Sequence, residues 1–227
     1  GQPIYGFFGY TSNGVVKNQA ILDANPYLTN PDNDFSIGLG DIWTVDINKD
    51  GKISADDRGF IGHRYPNFTY GLSGNVTFKR WTLQVVTYGA QGVDLNTMVD
   101  INGYFQYTSN DVTRVLDRWE PTQNPDGNMP KVTKVDQAGN ATHTASFWLS
   151  GASFFKIGNV NLEYAVPANI CQKLKMKNLA VYGSVQNLHT FTKYPGGEVD
   201  VTDQGMWQQP ITKIPQPRTW VMGLKVS

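Results

Sequence analysis

Apolar and polar side chains alternate along residues 67–90, where they predict two β-strands joined by a tight turn. The apolar positions of the first strand are Phe68, Tyr70, Leu72, Val76 and Phe78, with Gly74 among them. The positions between them are Thr69, Gly71, Ser73, Asn75 and Thr77. After a turn at Lys79-Arg80, the alternation resumes with Trp81, Leu83 and Val85 and blurs at Val86. A period of two over this length is typical of strands with one apolar face, and the pair predicts a β-hairpin.

Three further stretches alternate in the same way and predict three more strands. They are residues 157–166, 179–187 and 219–226. A shorter and less regular candidate lies at residues 5–12. The chain is therefore predicted to be all-β and antiparallel.

The connections between these strands alternate in length. Long connections at about residues 13–66, 91–153 and 188–216 are separated by short ones at 79–80 and 167–178. A transmembrane β-barrel has this arrangement, with short turns on one side and long loops on the other, and its strands are about 9–11 residues long. The alternative is a soluble antiparallel sheet with one solvated face.

Composition excludes several classes of protein. The 227 residues carry 19 basic and 19 acidic side chains, so no electrostatic footprint for nucleic acid is present. No apolar run reaches the roughly 18–20 residues of a membrane helix. Cys171 is the one cysteine and is expected to be a half-buried small apolar residue. The three histidines form no metal-ligating or catalytic motif, so we do not expect an enzyme.

Residues 46–57, DINKDGKISADD, have the spacing of a calcium loop. The predicted ligands are the side chains of Asp46, Asn48, Asp50, Ser54 and Asp57 and the carbonyl oxygen of Lys52, with Gly51 permitting the turn. The alternative is a turn rich in Asp and Asn that binds no metal. A sensor role is disfavoured because Gly59, Gly62 and Pro66 oppose a helix after the loop. We expect a structural Ca²⁺ ion.

A series of motifs gives the chain a family resemblance. Gly40-Asp41 is followed by VDINKDGKISADDR, IGHRYPNFTYGLS, TYGAQG at 87–92, RWEP at 118–121, FFKIGNVNLEYAVP at 154–167, VYGSVQNLHTFTKYPGG at 181–197 and PQPRTWVMGLKV at 215–226. In this order and spacing they resemble the C-terminal region of SusC/RagA-type TonB-dependent outer-membrane transporters. The chain departs from the family pattern at residues 154–159 and after Tyr194.

The resemblance implies that residues 1–227 form one segment of a large, plug-containing transmembrane β-barrel, comprising its last six or so strands. A barrel of about 22 strands has a plugged lumen. The three long connections would be extracellular loops. The implied function is TonB-dependent import of an oligosaccharide or peptide nutrient, including glycan uptake, across the outer membrane of a member of the Bacteroidetes. The implied partners are a SusD-like surface lipoprotein that forms a lid, TonB acting through a part of the protein that precedes this chain, and outer-membrane lipid.

Four tryptophans of the long connections are candidate substrate-binding residues. They are Trp43, Trp119, Trp148 and Trp207. Their rings could stack on sugar rings, and the alternative is packing of the loops.

A different class of function remains open at this point, a secreted, calcium-stabilised β-sandwich that binds carbohydrate. The two hypotheses differ in what the face of Phe68, Leu72 and Phe78 contacts, which is lipid in a barrel and a second sheet in a sandwich.

Overall fold

The computed structural model describes residues 6–97, 113–195, 198–200 and 216–226. These residues divide into two compact units. Within the described residues, unit 1 consists of 6–65, 93–97 and 113–151, and unit 2 consists of 66–92, 152–195, 198–200 and 216–226. No helix among the described residues is long and apolar enough to span a membrane.

Unit 2 is built on one five-stranded antiparallel sheet, whose strands were all predicted from the alternation. The strands are β5 (Phe68–Phe78), β6 (Trp81–Gln91), β9 (Phe154–Ala165), β10 (Leu179–Thr192) and β11 (Thr219–Val226). They lie in the order β11-β10-β9-β6-β5, and every neighbouring pair is antiparallel. Strands β5, β6, β9 and β10 have 11 to 14 residues, which is long enough to cross a bilayer at a tilt, and β11 has 8.

The two faces of this sheet differ sharply in chemistry. The register places Leu83 of β6 beside Val76 of β5 and Leu162 of β9, and these apolar residues are exposed. Leu72 remains 74% exposed and Met222 of β11 remains 88% exposed. The other face carries mainly Asn, Gln, Ser, Thr, Tyr and Lys side chains. We call the first the apolar face and the second the polar face.

A β-bulge at Gly158 changes the face to which the start of β9 belongs. Val86 of β6 pairs with Asn159, but Thr87 pairs with Ile157, so Gly158 is the extra residue. One inserted residue turns every residue beyond it to the opposite face. Lys156 therefore lies on the polar face, and the shift opposite Val86 coincides with the point at which the alternation of β6 blurs.

The two ends of the sheet are connected differently. Lys79, with φ of 55°, turns the chain between β5 and β6, and the short connection between β9 and β10 contains helix α2 (Ala168–Lys173). Cys171 of that helix is buried, and so is less exposed than the half-buried residue that the sequence predicted. At the other end, the Gly92 N–H donates to Ser153 Oγ at 3.0 Å, which joins the points where β6 ends and β9 begins.

Unit 1 has its own secondary structure, built on three short antiparallel strand pairs. They are β1 (Phe7–Tyr10) with β4 (Arg58–Gly62), β2 (Ser12–Val15) with β3 (Ile42–Thr44), and β7 (Asp94–Asn96) with β8 (Leu149–Gly151). Helix α1 (Gln19–Ala24) begins at Asn18, whose side chain accepts the Ile21 N–H. Short 3₁₀ turns lie at Pro26–Thr29, Ala55–Asp57, Thr113–Asp117 and Ser146–Trp148.

Unit 1 also has a hydrophobic core of its own, which the sequence did not predict. Leu28, Ile53 and Trp148 are fully buried in a core cluster drawn from both long connections. Segments predicted as loops at 13–66 and 91–153 therefore include a folded body. The shorter candidate at 5–12 corresponds to β1, a four-residue strand of this unit, so the described residues contain five long strands beside it. The third predicted loop, 188–216, starts later because β10 continues to Thr192.

Candidate functional site

Side-chain oxygens hold the first half of the 46–57 loop by accepting backbone N–H groups. The Asp46 carboxylate accepts from the Lys49 N–H at 2.6 Å and from the Gly51 N–H at 2.9 Å. Asn48 Oδ1 accepts from the Asp50 N–H at 2.9 Å. Lys49 and Gly51 have φ of 61° and 84°, so the chain reverses here as the predicted glycine at the sixth position allows.

Asp57 closes the loop from its far end. Its Oδ1 accepts the Ile47 N–H at 2.8 Å and its Oδ2 accepts the Ser54 N–H at 2.9 Å. With the Ser54 side chain it forms a capping box on the 3₁₀ turn Ala55–Asp57. Asp57 is only 1% exposed, and a buried carboxylate is costly without partners. The two backbone N–H groups supply that compensation.

The loop is tied to the core of unit 1 through Ile53. This side chain is fully buried, its N–H donates to Asn33 Oδ1 at 2.7 Å, and its carbonyl accepts the Asp34 N–H at 2.9 Å. Asn30 Nδ2 donates to the Gly51 carbonyl at 2.7 Å from the same neighbouring segment. The loop therefore fixes residues 30–34 against residues 51–53.

The donor set of the loop fits a calcium ion by its chemistry. Asp46, Asn48 and Asp50 offer only oxygen ligands, which hard cations prefer, and carboxylate oxygens that accept one N–H keep further lone pairs. Across the described residues, no group of three or more His, Cys, Asp or Glu side chains is arranged to hold a metal. Asn48 Nδ2 instead donates to Asp50 Oδ2 at 3.1 Å, and Asp57 caps the turn. The calcium ligand set stays a prediction.

Two of the candidate tryptophans have no ring face available to a solute. Trp148 is fully buried, and its Nε1–H donates to the Asn140 carbonyl at 2.7 Å. Trp119 is also buried, and its Nε1–H donates to the Lys17 carbonyl at 3.1 Å. The structure gives both residues a packing role within unit 1.

The other two candidates differ from these. Trp43 is half-buried against the core cluster, and its Nε1–H donates to Tyr27 Oη at 3.1 Å. Trp43 keeps part of its ring surface accessible, so of the four it is the one that the described structure leaves available. Trp207 lies outside the described residues.

The Gly40-Asp41 motif of the family resemblance has a structural role. Asp41 is buried, and its carboxylate accepts the Gly38 N–H at 2.8 Å, Lys131 Nζ at 2.9 Å and Asn140 Nδ2 at 2.9 Å. These donors come from both long connections, so the motif links the two segments that form unit 1.

Sequence reasoning missed a buried ionic cluster on the polar face of unit 2. Lys156 is 1% exposed, with Nζ 3.1 Å from Asp200 Oδ2 and 3.6 Å from Glu198 Oε1. Strict alternation counted from Val160 assigns Lys156 to the apolar face. The available signal was Gly158, because a glycine inside a strand often marks a bulge.

Comparison with known proteins gives a consistent set of relatives. No protein-family model matches the chain. TonB-dependent receptor P3 of Formosa agariphila is 25% identical over 237 residues, which cover the whole chain and 22% of the receptor. TonB-dependent receptor P26 of the same organism is 26% identical over 245 residues, covering the whole chain and 23% of the receptor. The chain thus spans about a fifth of the length of the curated relatives it matches.

Solved structures share the fold. The RagAB peptide transporter matches 97% of this chain and 22% of its own chain, with a TM-score of 0.65 and 20% identity. The RagAB peptide importer in the "open-open" state matches 98% of this chain and 22% of its own, with a TM-score of 0.62 and 19% identity. The fold is thus that of a segment of an antiparallel transmembrane β-barrel, as the sequence predicted.

Proposed function

We propose, from the premise that this chain is homologous over its whole length to SusC/RagA-like TonB-dependent receptors, that it forms part of the barrel wall of a nutrient importer. The relatives support TonB-dependent import and an outer-membrane location in general. The cargo proposed is an oligosaccharide or a peptide, and the peptide cargo in the names of the solved neighbours supports the second. The energy would come from TonB, through a part of the protein outside this chain.

The observation that carries the proposal is the sheet of unit 2, with one apolar and one polar face. Leu72, Val76 and Phe78 would contact lipid, and their exposure in the isolated sheet is what a lipid-facing wall requires. The polar face would line the import path.

Aromatic side chains at both ends of the apolar face support the same orientation in a bilayer. Trp81 packs on Tyr164 near the short turns, with ring centroids 4.7 Å apart. At the other end Tyr70, Phe155 and Phe191 stack in a row across the sheet. Such girdles are typical of barrel strands at the two membrane interfaces.

The alternative function, a secreted carbohydrate-binding β-sandwich, would need a second sheet against this apolar face. The described part of unit 2 contains only the one five-stranded sheet. The apolar face accordingly supports the transporter over the sandwich, and the relatives favour the same choice.

The proposed partner on the outside is a SusD-like surface lipoprotein acting as a lid. The long connections that contain unit 1 leave the sheet at the end opposite the short turns, and we assign that end to the extracellular side. A Ca²⁺ ion held by Asp46, Asn48, Asp50, the Lys52 carbonyl, Ser54 and Asp57 would stiffen a loop of this unit. Such an ion would crosslink oxygen atoms of the loop. It would take no part in transport, which requires no bond to be made or broken.

The proposal is tested with the full-length receptor in its own host. We expect it in detergent extracts of the outer membrane, and uptake of labelled peptide or oligosaccharide mixtures should be lost when the receptor gene or tonB is deleted. Cells carrying an unrelated outer-membrane porin serve as the fractionation control. Recovery of the receptor as a soluble monomer, or uptake independent of tonB, would contradict the proposal.

A further inference from the structure

Lys156 is the centre of a buried cluster that nothing in the proposed transport function uses. Its Nζ lies 3.1 Å from Asp200 Oδ2, 3.6 Å from Glu198 Oε1 and 3.1 Å from Gln216 Oε1. Tyr88 Oη donates to the same Asp200 Oδ2 at 2.5 Å, and the Lys156 ammonium lies 6.0 Å from the centre of the Tyr88 ring. One ammonium thus meets two carboxylates, an amide and an aromatic face in a site almost closed to water.

The partners of Lys156 come from both ends of the same connection. Glu198 and Asp200 follow β10, and Gln216 precedes β11. Lys156 itself belongs to β9, and Tyr88 belongs to β6, next to the bulge that places Lys156 on the polar face. The cluster therefore joins the start and the end of the β10–β11 connection to the wall of the sheet.

Burial makes this ion pair costly to break. A buried ammonium that loses its carboxylate keeps the cost of desolvation without the compensating attraction, so the partners hold one another in place. The exposed pair of Lys225 and Glu163, on the same polar face, lacks this property because both groups stay in contact with water.

We propose that Lys156 is a clamp that fixes both ends of the β10–β11 connection against the polar face of the sheet. The inference rests on the proposed function in one respect, since the polar face lines the import path only in a transporter. In that setting the clamp fixes residues 198–200 and Gln216 at the wall of the path. Lys156 and Asp200 are then positioning residues for the wall that the cargo passes.

Val199 provides a direct reporter, because it lies between Glu198 and Asp200 and is only 7% exposed. The full-length receptor is prepared with Val199→Cys in a background whose other cysteines are replaced by serine. Labelling by a membrane-impermeant maleimide is followed in cells and in purified receptor in detergent. Lys156→Gln and Asp200→Asn should each raise the labelling rate by about tenfold or more. Lys156→Gln leaves both carboxylates without their cation, and Asp200→Asn leaves the buried ammonium with only the more distant Glu198 carboxylate, 3.6 Å away.

Two comparisons make the result specific. Lys225→Gln, which breaks the exposed pair on the same face, should leave the labelling rate within about twofold of the parent. The double variant Lys156→Gln with Asp200→Asn should label no faster than the faster single variant, because residues that act through one contact are non-additive.

The outcomes that overturn the clamp are equally definite. Asp200→Asn changes no strand residue, so it carries the test by itself if Lys156→Gln fails to assemble. Unchanged labelling in Asp200→Asn, or an equal increase in Lys225→Gln, would exclude the clamp. The measurement in purified receptor reports on the clamp whether or not the receptor imports cargo, so failure of the clamp and failure of the transport proposal are distinguishable.

Discussion

Glycines within the strands of unit 2 make room for tyrosine rings from neighbouring strands. A Cβ atom on Gly89 would lie 2.5 Å from Tyr70 Oη and 2.5 Å from the Phe154 carbonyl oxygen. A Cβ atom on Gly223 would lie 2.5 Å from Tyr182 Oη on the polar face. The ring of Tyr70 can therefore pass over β6 and stack near Phe155 of β9, which extends the aromatic row across a strand that has no aromatic residue at that level.

Gly89→Ala should destabilise the sheet by about 1–3 kcal/mol, because the new methyl group meets a backbone oxygen that cannot move aside. Gly74→Ala is the matched control, since Gly74 also lies on the apolar face and has open space where its Cβ atom would be. The measurement is the urea midpoint of the full-length receptor in detergent micelles. Equal midpoints for the two variants would show that Tyr70 does not depend on Gly89.

Burial of single residues was the property that the sequence predicted least well. Trp119 and Trp148 lie in stretches without periodicity, and nothing local in the sequence indicates that Lys17 and Asn140 receive their indole N–H groups. Lys17 lies 102 residues from Trp119, and Trp148 shares its core with Leu28, so contacts between distant segments bury both rings. A tryptophan in a long connection is compatible both with packing and with stacking on a ligand. Only the fold shows that Trp119 and Trp148 are packed.

At the scale of elements, alternation predicted the long strands correctly, because each of them has one apolar face and one polar face. The bounds of β5 and β11 were predicted to within a residue. The bulge at Gly158 was not predicted, because its effect depends on pairing with β6 and β10 instead of on β9 alone. Apart from β1, which corresponds to the candidate at 5–12, the short strands of unit 1 escaped prediction, since three or four residues are too few to establish a period.

The 46–57 loop is the element on which metal removal can be tested. If the loop binds calcium, the ion at about a hundredfold excess over its dissociation constant should stabilise the folded loop by about 2.7 kcal/mol. We expect a chelator to speed proteolysis within residues 46–57 of the full-length receptor. Adding back Ca²⁺ should reverse the effect, whereas Mg²⁺ should act weakly because it requires a stricter geometry.

Asp50→Ala should abolish the response of the loop to calcium, because it removes a predicted ligand at the exposed rim and leaves the Asp57 capping box in place. Asp32→Ala is the control, an exposed aspartate outside the loop. A proteolysis rate that is the same with chelator and with calcium in the parent receptor would identify the loop as an Asp- and Asn-rich turn without metal.

At the scale of the whole molecule, the two units follow different rules of stability. Unit 1 buries apolar side chains such as Leu28 and Ile53 in a core of its own, as a water-soluble body does. Unit 2 leaves an apolar face exposed, and a sheet of this kind is stable only when something apolar covers that face. Long connections that fold into a body, and strands whose apolar face needs a cover, are what the proposed function requires of this chain.

Leu72 and Ser73 allow this division to be tested with adjacent residues of β5. Leu72 lies on the apolar face, and arginine there should cost about 2–4 kcal/mol near the bilayer midplane. Ser73 lies on the polar face, where arginine would enter a wet lumen and should cost little. The amount of folded full-length receptor in the outer membrane, read from its heat-modifiable mobility on gels, should therefore fall for Leu72→Arg and stay near the parent level for Ser73→Arg. Equal assembly of both variants would mean that the face of Leu72 does not meet lipid, and a loss confined to Ser73→Arg would mean that the sheet is oriented in the opposite sense.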